Sequence, residues 1–265
     1  MTTFHNEYLE LSVPALAKIR KKFLLVIYND NPDTRISRRK IRKMGYHGAL
    51  RVINGNTHLG QLRARLAILG YLKSRKIKAD WFIFVDDDDA LLNLDIPHVA
   101  PHNFAVIQNM AVIRTRLIDV LRLMKCADNL NIDNKNIELM RPHVGTAGTL
   151  VRMGAIMRLY DILTCVNQEL CDIDESLSFR PPVDTMMWTA LNIIARHDNE
   201  FAAPIYMDTL NYIATDIDTA PIKYGMKVMP EKNASQQIAR AIAKYDALVR
   251  SLLTATNTAA PAGQD

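Results

Sequence analysis

Trp81 to Leu92 reads WFIFVDDDDALL, an apolar and aromatic run that ends in four consecutive aspartates. Trp81, Phe82, Ile83, Phe84 and Val85 show no polar alternation, so the run predicts a strand covered on both faces, as in the centre of a parallel sheet. The carboxylates then fall at the carboxyl end of that strand, where open α/β sheets place their ligands. Four like charges there repel one another unless a cation, arginines or solvent compensates them. The ordinary alternative is a solvated acidic turn; delivery by a buried strand favours a hard ion such as Mg or Mn, which prefers carboxylate oxygen.

A second such strand is expected at Phe23 to Tyr28, followed by the turn formers Asn29 to Thr34, and again an acid, Asp30, sits at its carboxyl end. Ala49 to Ile53 predicts a short strand. Leu59, Leu62, Leu66, Leu69 and Leu72 recur at helical spacing, which makes Gly60 to Ser74 an amphipathic helix with Arg63 and Arg65 near its start. An opening helix follows from Tyr8, Leu9, Leu11, Val13 and Leu16, with Pro14 in its early part. This alternation of strand and helix argues for an α/β chain with a parallel, doubly wound sheet.

The remainder is less regular. Phe104 to Ile113 predicts one or two strands, Thr115 to Cys126 a helix, and Asp128 to Asn136 a polar loop that lacks the glycine of a calcium site. His143 to Arg152 carries small residues before a strand. Met153 to Val166 and Thr185 to Arg196 predict helices, the second with Met186, Trp188, Ala190, Leu191 and Ile194 inward, and Asp184 just before it suits an N-cap as well as catalysis. Phe201 to Tyr212 predicts a final strand pair. Ile238, Ile242, Tyr245, Val249 and Leu252 mark an amphipathic helix over 234–253. It can dock on its own domain, pair with a second copy or lie on a membrane surface, expected in that order. Residues 254–265 read as a disordered end.

Composition narrows the partners. The chain of 265 residues is 49% hydrophobic with a formal charge of +5, which fits one elaborated α/β domain with mild attraction to polyanions. Arg35 to Lys43 is strongly basic, most simply the solvated face of a surface helix. No stacking aromatics or nucleic-acid motif lie beside it, so no nucleic-acid partner is expected. The three cysteines, Cys126, Cys165 and Cys171, lack metal-ligand spacing and read as reduced thiols. With no signal-like start and no apolar run near the roughly 18 residues of a spanning helix, a cytoplasmic protein is expected, at most held at the inner face of the membrane.

Several of these segments together resemble the inverting family 2 glycosyltransferases of the GT-A fold, over about the first 215 residues. His5 to Leu9 is similar to that family's Tyr-Asn-x-x-x-Leu turn after the first strand, and Val26 to Asp33 to the segment ending Asp-Asp-Gly-Ser. Gly60 to Arg65 resembles the Gly-x-x-x-Ala-Arg-Asn helix start, Asp86 to Asp89 the metal-binding D-x-D-D, and Val183-Asp184 the Glu-Asp pair with the catalytic base. Ile205-Tyr206 follows as the late strand. His5, Leu66 and Val183 depart from the family's Tyr, Asn and Glu. Only Met1 to Phe4 stands where the family has a full first strand: either translation starts upstream or the sheet tolerates a short strand.

The resemblance implies a Rossmann-like, mostly parallel central sheet flanked by helices. It implies a GT-A domain over 1–233, with a donor half over about 1–95 and an acceptor half over about 96–215. It also implies transfer of a sugar from a nucleotide-diphosphate donor, a UDP-sugar by expectation, to an acceptor hydroxyl with inversion, in cell-surface polysaccharide or glycan synthesis. Asp88, with Asp86, would hold Mn or Mg against the diphosphate. Asp86 and Asp87 would contact ribose, and Asp30 would accept from the base with Thr3 and Phe4 lining the same pocket. Arg65 would meet base or phosphate, Asp184 would be the general base, and the acceptor would be a glycan or a lipid-linked glycan. A catalytically inactive scaffold of this fold and a sugar nucleotidyltransferase are the alternatives.

Overall fold

The computed structural model describes residues 1–94, 96, 102–113, 137–140, 146–165, 183–197, 203–215, 243 and 246–254. Three strands form a parallel sheet in the order β1 (Thr2–Thr3), β2 (Leu24–Asn29), β3 (Ala49–Asn54). Between them run α1 (Leu9–Lys18), which carries Pro14 inside it, and α2 (Arg38–Lys43); α3 (Gln61–Ser74) follows β3. The second sheet has six strands: β4 (Trp81–Ile83), β5 (Ala90–Leu91), β6 (Ala105–Ile113), β7 (Ile137–Met140), β8 (Leu150–Arg152) and β9 (Ile205–Thr215). Its order is β4-β8-β6-β9-β5 with β7 on β6, and only β6 and β9 run parallel. Two further helices, α4 (Met153–Cys165) and α5 (Val183–His197), also carry the core.

Successive residues of the strands enter opposite cores, which explains their unbroken apolar runs. Val26 and Tyr28 pack with α3, α4 and α5, whereas Leu25 and Ile27 pack with Leu9, Val13 and Leu16 of α1. The same switch separates Phe84 from Val85 and Val151 from Leu150. A strand with helices on both sides has no solvated face, so polar alternation disappears. Ser37 caps α2, its Oγ accepting the Lys40 N–H at 3.1 Å, and Ile41 is the one residue of that helix in the core. Arg35, Arg38, Arg39 and Lys43 are exposed, as a solvated basic face requires.

The mixed α/β class, with a parallel sheet and flanking helices, is thus present, but the Trp81 strand lies elsewhere in it than expected. β4 joins the second sheet antiparallel to β8, with Phe82 opposite Val151, and all three of its residues are only half-buried. Trp81, Phe82 and Ile83 line an apolar cavity of about 370 Å³ whose other wall includes Leu24, Leu25 and Val26 of β2. Phe84 and Val85, just beyond, are buried.

Other expectations move by small steps. Where Phe104 to Ile113 and Phe201 to Tyr212 predict one or two strands and a strand pair, the described residues form one strand each, Ala105–Ile113 and Ile205–Thr215, which pair with one another. The five residues expected inward on α5 are buried. The helix over Thr115 to Cys126, the loop over Asp128 to Asn136, and Cys126 and Cys171 lie outside the described residues; Cys165 is a free, exposed thiol. Residues 246–254 are helical, and Val249 and Leu253 enter the core shared by α3, α4 and α5, so this part of the tail docks on its own domain. Among the described residues no helix is long and apolar enough to cross a membrane.

Candidate functional site

The carboxyl ends of β2 and β4 and the start of α3 enclose a cavity of about 240 Å³. Its walls include Thr3, Phe4, Asp30, Asp86, Asp87 and Asp88, six of the residues expected from the sequence, together with His58 and Gln61, which were not. Met1 to Phe4 reaches this position because β1 pairs with the end of β2: the Asp30 N–H donates to the Thr3 carbonyl at 2.7 Å.

Asp30 is held by the loop before α3. Its Oδ1 accepts the Leu59 N–H at 2.7 Å, and its Oδ2 accepts the Gly60 N–H at 2.9 Å and lies 2.9 Å from His58 Nδ1. Gly60 takes φ +81°, a left-handed conformation that suits glycine and brings these N–H groups round to the carboxylate. His58 is partly exposed and stands edge-on to Phe4, with ring centroids 4.8 Å apart. The pair forms one end of the pocket.

The four aspartates separate into different environments. Asp89 is buried; its Oδ2 accepts the Tyr212 hydroxyl at 2.6 Å, and the same hydroxyl accepts the Asp86 N–H at 3.2 Å. Tyr212, from β9, therefore pins both ends of the acidic turn, and burial, reinforced by the Asp89 charge, pushes its own ionisation well up. Asp86, Asp87 and Asp88 line the cavity. Burial pushes the Asp87 carboxyl well above the usual range, and the neighbouring Asp88 adds to this, while a hydrogen bond from the Thr3 side chain opposes it.

Gly148 adopts φ +72°, donates its N–H to the Phe84 carbonyl at 2.9 Å, and a Cβ placed there would lie 2.6 Å from Tyr212 Cγ. Gly148→Ala is expected to cost about 1–3 kcal/mol through the forced backbone and the displaced ring. Thermal unfolding should show it, and an unchanged Tm would mean that Tyr212 moves aside freely.

Arg65 is the centre of the site although no surface of it is exposed. Its Nη2 donates to Asp86 Oδ1 at 2.7 Å, its Nη1 to Asp184 Oδ1 at 2.5 Å and to Thr146 Oγ1 at 3.2 Å, and its guanidinium lies over the Phe84 ring at 4.9 Å. The expectation that Arg65 meets a base or a phosphate is corrected by this burial: the planar fork is occupied by two carboxylates. Helix α3 turns residue 65 inward with Ala64 and Leu66, which no count of surface arginines anticipates.

Asp184 lies in the first turn of α5, inside the helix rather than before it. Oδ1 accepts from Arg65, from Thr146 Oγ1 at 2.7 Å and from the Ala147 N–H at 3.0 Å. Burial alone would raise its ionisation, but the Arg65 charge and these donors hold it below the usual carboxylate range. Asp86 shares the same arginine with fewer donors, so burial prevails and its carboxyl stands above the ordinary value. One guanidinium between two carboxylates leaves a negative charge over, and Asp184 is the better solvated of the two by protein groups.

No family model matches the sequence, and no curated protein matches it. Among solved structures, the chain is similar to the crystal structure of S. aureus TarS 1-349, with 14% sequence identity, a TM-score of 0.48, and coverage of 95% of this chain and 67% of that one.

Proposed function

We propose that this protein is a metal-dependent glycosyltransferase that moves a sugar from a nucleotide-diphosphate donor to an acceptor hydroxyl with inversion. The observation that carries the reading is the convergence of Thr3, Phe4, Asp30, Asp86, Asp87 and Asp88 on one pocket, next to a second carboxylate, Asp184, tied to the first group through Arg65. The nucleoside would enter between Phe4, His58 and Asp30. Because the loop N–H groups occupy Asp30, it serves this pocket chiefly by fixing His58 and the start of α3.

The carboxylates suit a hard divalent ion held in part by substrate. Among the described residues no group of three His, Cys, Asp or Glu side chains forms a complete cage. Mg-type sites commonly use one or two carboxylates and leave the other positions to phosphate oxygen and water. Asp88 is the first choice and Asp87 its neighbour, since Asp86 Oδ1 is engaged by Arg65. A bound Mn or Mg would neutralise charge on the departing diphosphate.

Asp184 would take the proton of the acceptor hydroxyl. Its Oδ1 is fixed by three donors, while the side chain keeps 26% exposure, so the second oxygen can face an acceptor. A UDP-sugar donor, a glycan or lipid-linked acceptor and a place in cell-surface polysaccharide synthesis belong to the same proposal.

A thermal-shift panel of UDP, GDP, CDP and dTDP, each with and without Mn, tests it. One nucleotide is expected to raise Tm only when Mn is present, and Asp88→Ala should abolish that shift. No shift with any nucleotide, or a shift that Asp88→Ala leaves metal-dependent, would overturn the assignment.

A further inference from the structure

The amino ends of β2, β3 and β4 lie opposite the carboxylate pocket and gather the loops that join α1 to β2, α2 to β3 and α3 to β4. Tyr46 ties the first two loops together: its hydroxyl donates to the Phe23 carbonyl at 3.2 Å, and the two rings lie 5.5 Å apart. The first and third line the same apolar cavity, Lys21 and Lys22 from one, Ile77, Ala79 and Asp80 from the other. The length of β2, about 20 Å at the rise of a strand, separates this end of the molecule from the pocket.

Each of these loops is basic. Lys18, Arg20, Lys21 and Lys22 are exposed at the first, Lys43 at the second, and Lys73, Arg75, Lys76 and Lys78 at the third. Of the described acids, Asp80 and Asp161 adjoin them, and Asp161 is paired with Lys73. The surplus exceeds the whole chain's formal charge of +5, so the remainder of the molecule is net acidic. A lysine in the last turn of a helix has a local use against the helix dipole, which accounts for Lys18, Lys43 and Lys73. Arg20, Lys21, Lys22 and Lys78 lie in the loops themselves, where that use is gone.

Lys76 holds its charge here against a conformational cost. It takes φ +50°, the one non-glycine residue among those described with a left-handed backbone. The Ile77 N–H donates to the Leu72 carbonyl and the Lys76 N–H to the Lys73 carbonyl, both at 3.0 Å. These two bonds make the Schellman ending of α3, whose left-handed position is ordinarily glycine or asparagine. A lysine strains the backbone there, and its side chain is exposed, so the benefit of the charge lies outside the fold.

We propose that this basic end is the surface by which the protein rests on an anionic bilayer, with the carboxylate pocket turned to the solvent side. Two observations choose a bilayer over a nucleic acid. Lysine outnumbers arginine here, Arg20 and Arg75 being the exceptions. Compact, hydrated ammonium groups suit a diffuse surface potential, whereas bidentate phosphate recognition uses arginine. The rings at this end, Phe23, Tyr46, Tyr71 and Trp81, are buried or half-buried, so among the described residues none is presented for stacking on bases. Basic loops on one face act together, since each Lys or Arg near an anionic surface multiplies partitioning by about fivefold.

Sedimentation with vesicles of phosphatidylglycerol and phosphatidylcholine in equal parts, against phosphatidylcholine alone, tests it at about 0.1 M salt. The full chain is expected on the mixed vesicles and not on the neutral ones. Lys21→Gln, Lys22→Gln and Lys78→Gln together should lower partitioning by about 100-fold. Arg35→Gln, Arg38→Gln and Arg39→Gln remove the same charge from a segment that Ile36 fixes to Asn54 at the carboxyl end of β3, and should lower it by less than about twofold. Lys76→Gly should weaken partitioning by about fivefold while raising Tm by about 2 °C, because glycine accepts the left-handed backbone. The proposal is overturned by no preference for the anionic vesicles, by equal losses in the two triple variants, or by retention on duplex DNA in preference to the vesicles when both are present. None of these readouts requires donor or metal, so they stand apart from the transferase proposal.

Discussion

Replacing Arg65 with methionine is expected to destabilise the protein by about 3–5 kcal/mol, the usual cost of removing one partner from a buried ion pair. Methionine keeps much of the length and the contact with Phe84, so the loss falls on the charges. Asp86 and Asp184 would be left on either side of an apolar side chain, each deprived of a guanidinium bond now at 2.7 and 2.5 Å. Asp184 would keep Thr146 and the Ala147 N–H, and Asp86 would keep little. For a chain of this size the loss corresponds to a fall in Tm on the order of 10 °C.

The effect should also depend on pH, with a definite sign. In the wild type Asp184 is held below its usual range, so its contribution is present above the unfolded carboxylate pKa and lost as pH falls through the folded value. Without Arg65 the Asp184 carboxyl would rise above its unfolded value and that of Asp86, already above it, would rise further, so stability is lost as pH increases. The gap between wild type and Arg65→Met should therefore widen from about pH 3 to pH 7. A variant within about 2 °C of wild type at neutral pH would show that the network contributes no more than a surface pair does. Adding Asp86→Asn and Asp184→Asn to Arg65→Met should recover part of the loss, since uncompensated charge is its source.

Asp184→Asn alone is expected to lower the turnover of sugar transfer by about 10²-fold to 10⁴-fold, the range of a general base. The amide oxygen of asparagine can still accept from Thr146, Ala147 and Arg65, so the fold and the pocket beside Asp86 to Asp88 should persist. What is removed is a group able to take a proton. Titration calorimetry with the nucleotide and Mn should give a Kd within about threefold of wild type, a difference below 1 kcal/mol. Transfer at the wild-type rate would mean that Asp184 only anchors Arg65 and the loop at Thr146. A parallel loss of donor binding would mean that its role is in assembling the pocket.

These two residues also show how far the sequence reaches. Asp184 was readable as a site residue only through the motif around it, because a carboxylate before a helix has an equally good use as a cap. Its three donors come from residues 65, 146 and 147, too far along the chain for local spacing to signal. Arg65 was legible as an arginine near a helix start, but its burial follows from the rotation of α3 against β2 and α4. His58 and Tyr212 escaped notice because a histidine in a loop and a tyrosine in a strand carry no distinctive local pattern.

The sequence alone determined the α/β class, most strands and helices, and the gathering of Asp30 and Asp86 to Asp88 at strand ends. These follow from periodicity and from turn-forming residues, which act within a few positions. Tertiary structure decided what each aspartate does. Asp89 is sealed by Tyr212, Asp86 is bound to Arg65, Asp87 and Asp88 face the pocket, and the strand that delivers them pairs with β8 across a slot from β2. The physical reason is that a carboxylate's charge state and strength depend on burial and on donors supplied by distant segments, and four identical side chains in a row contain no information about either.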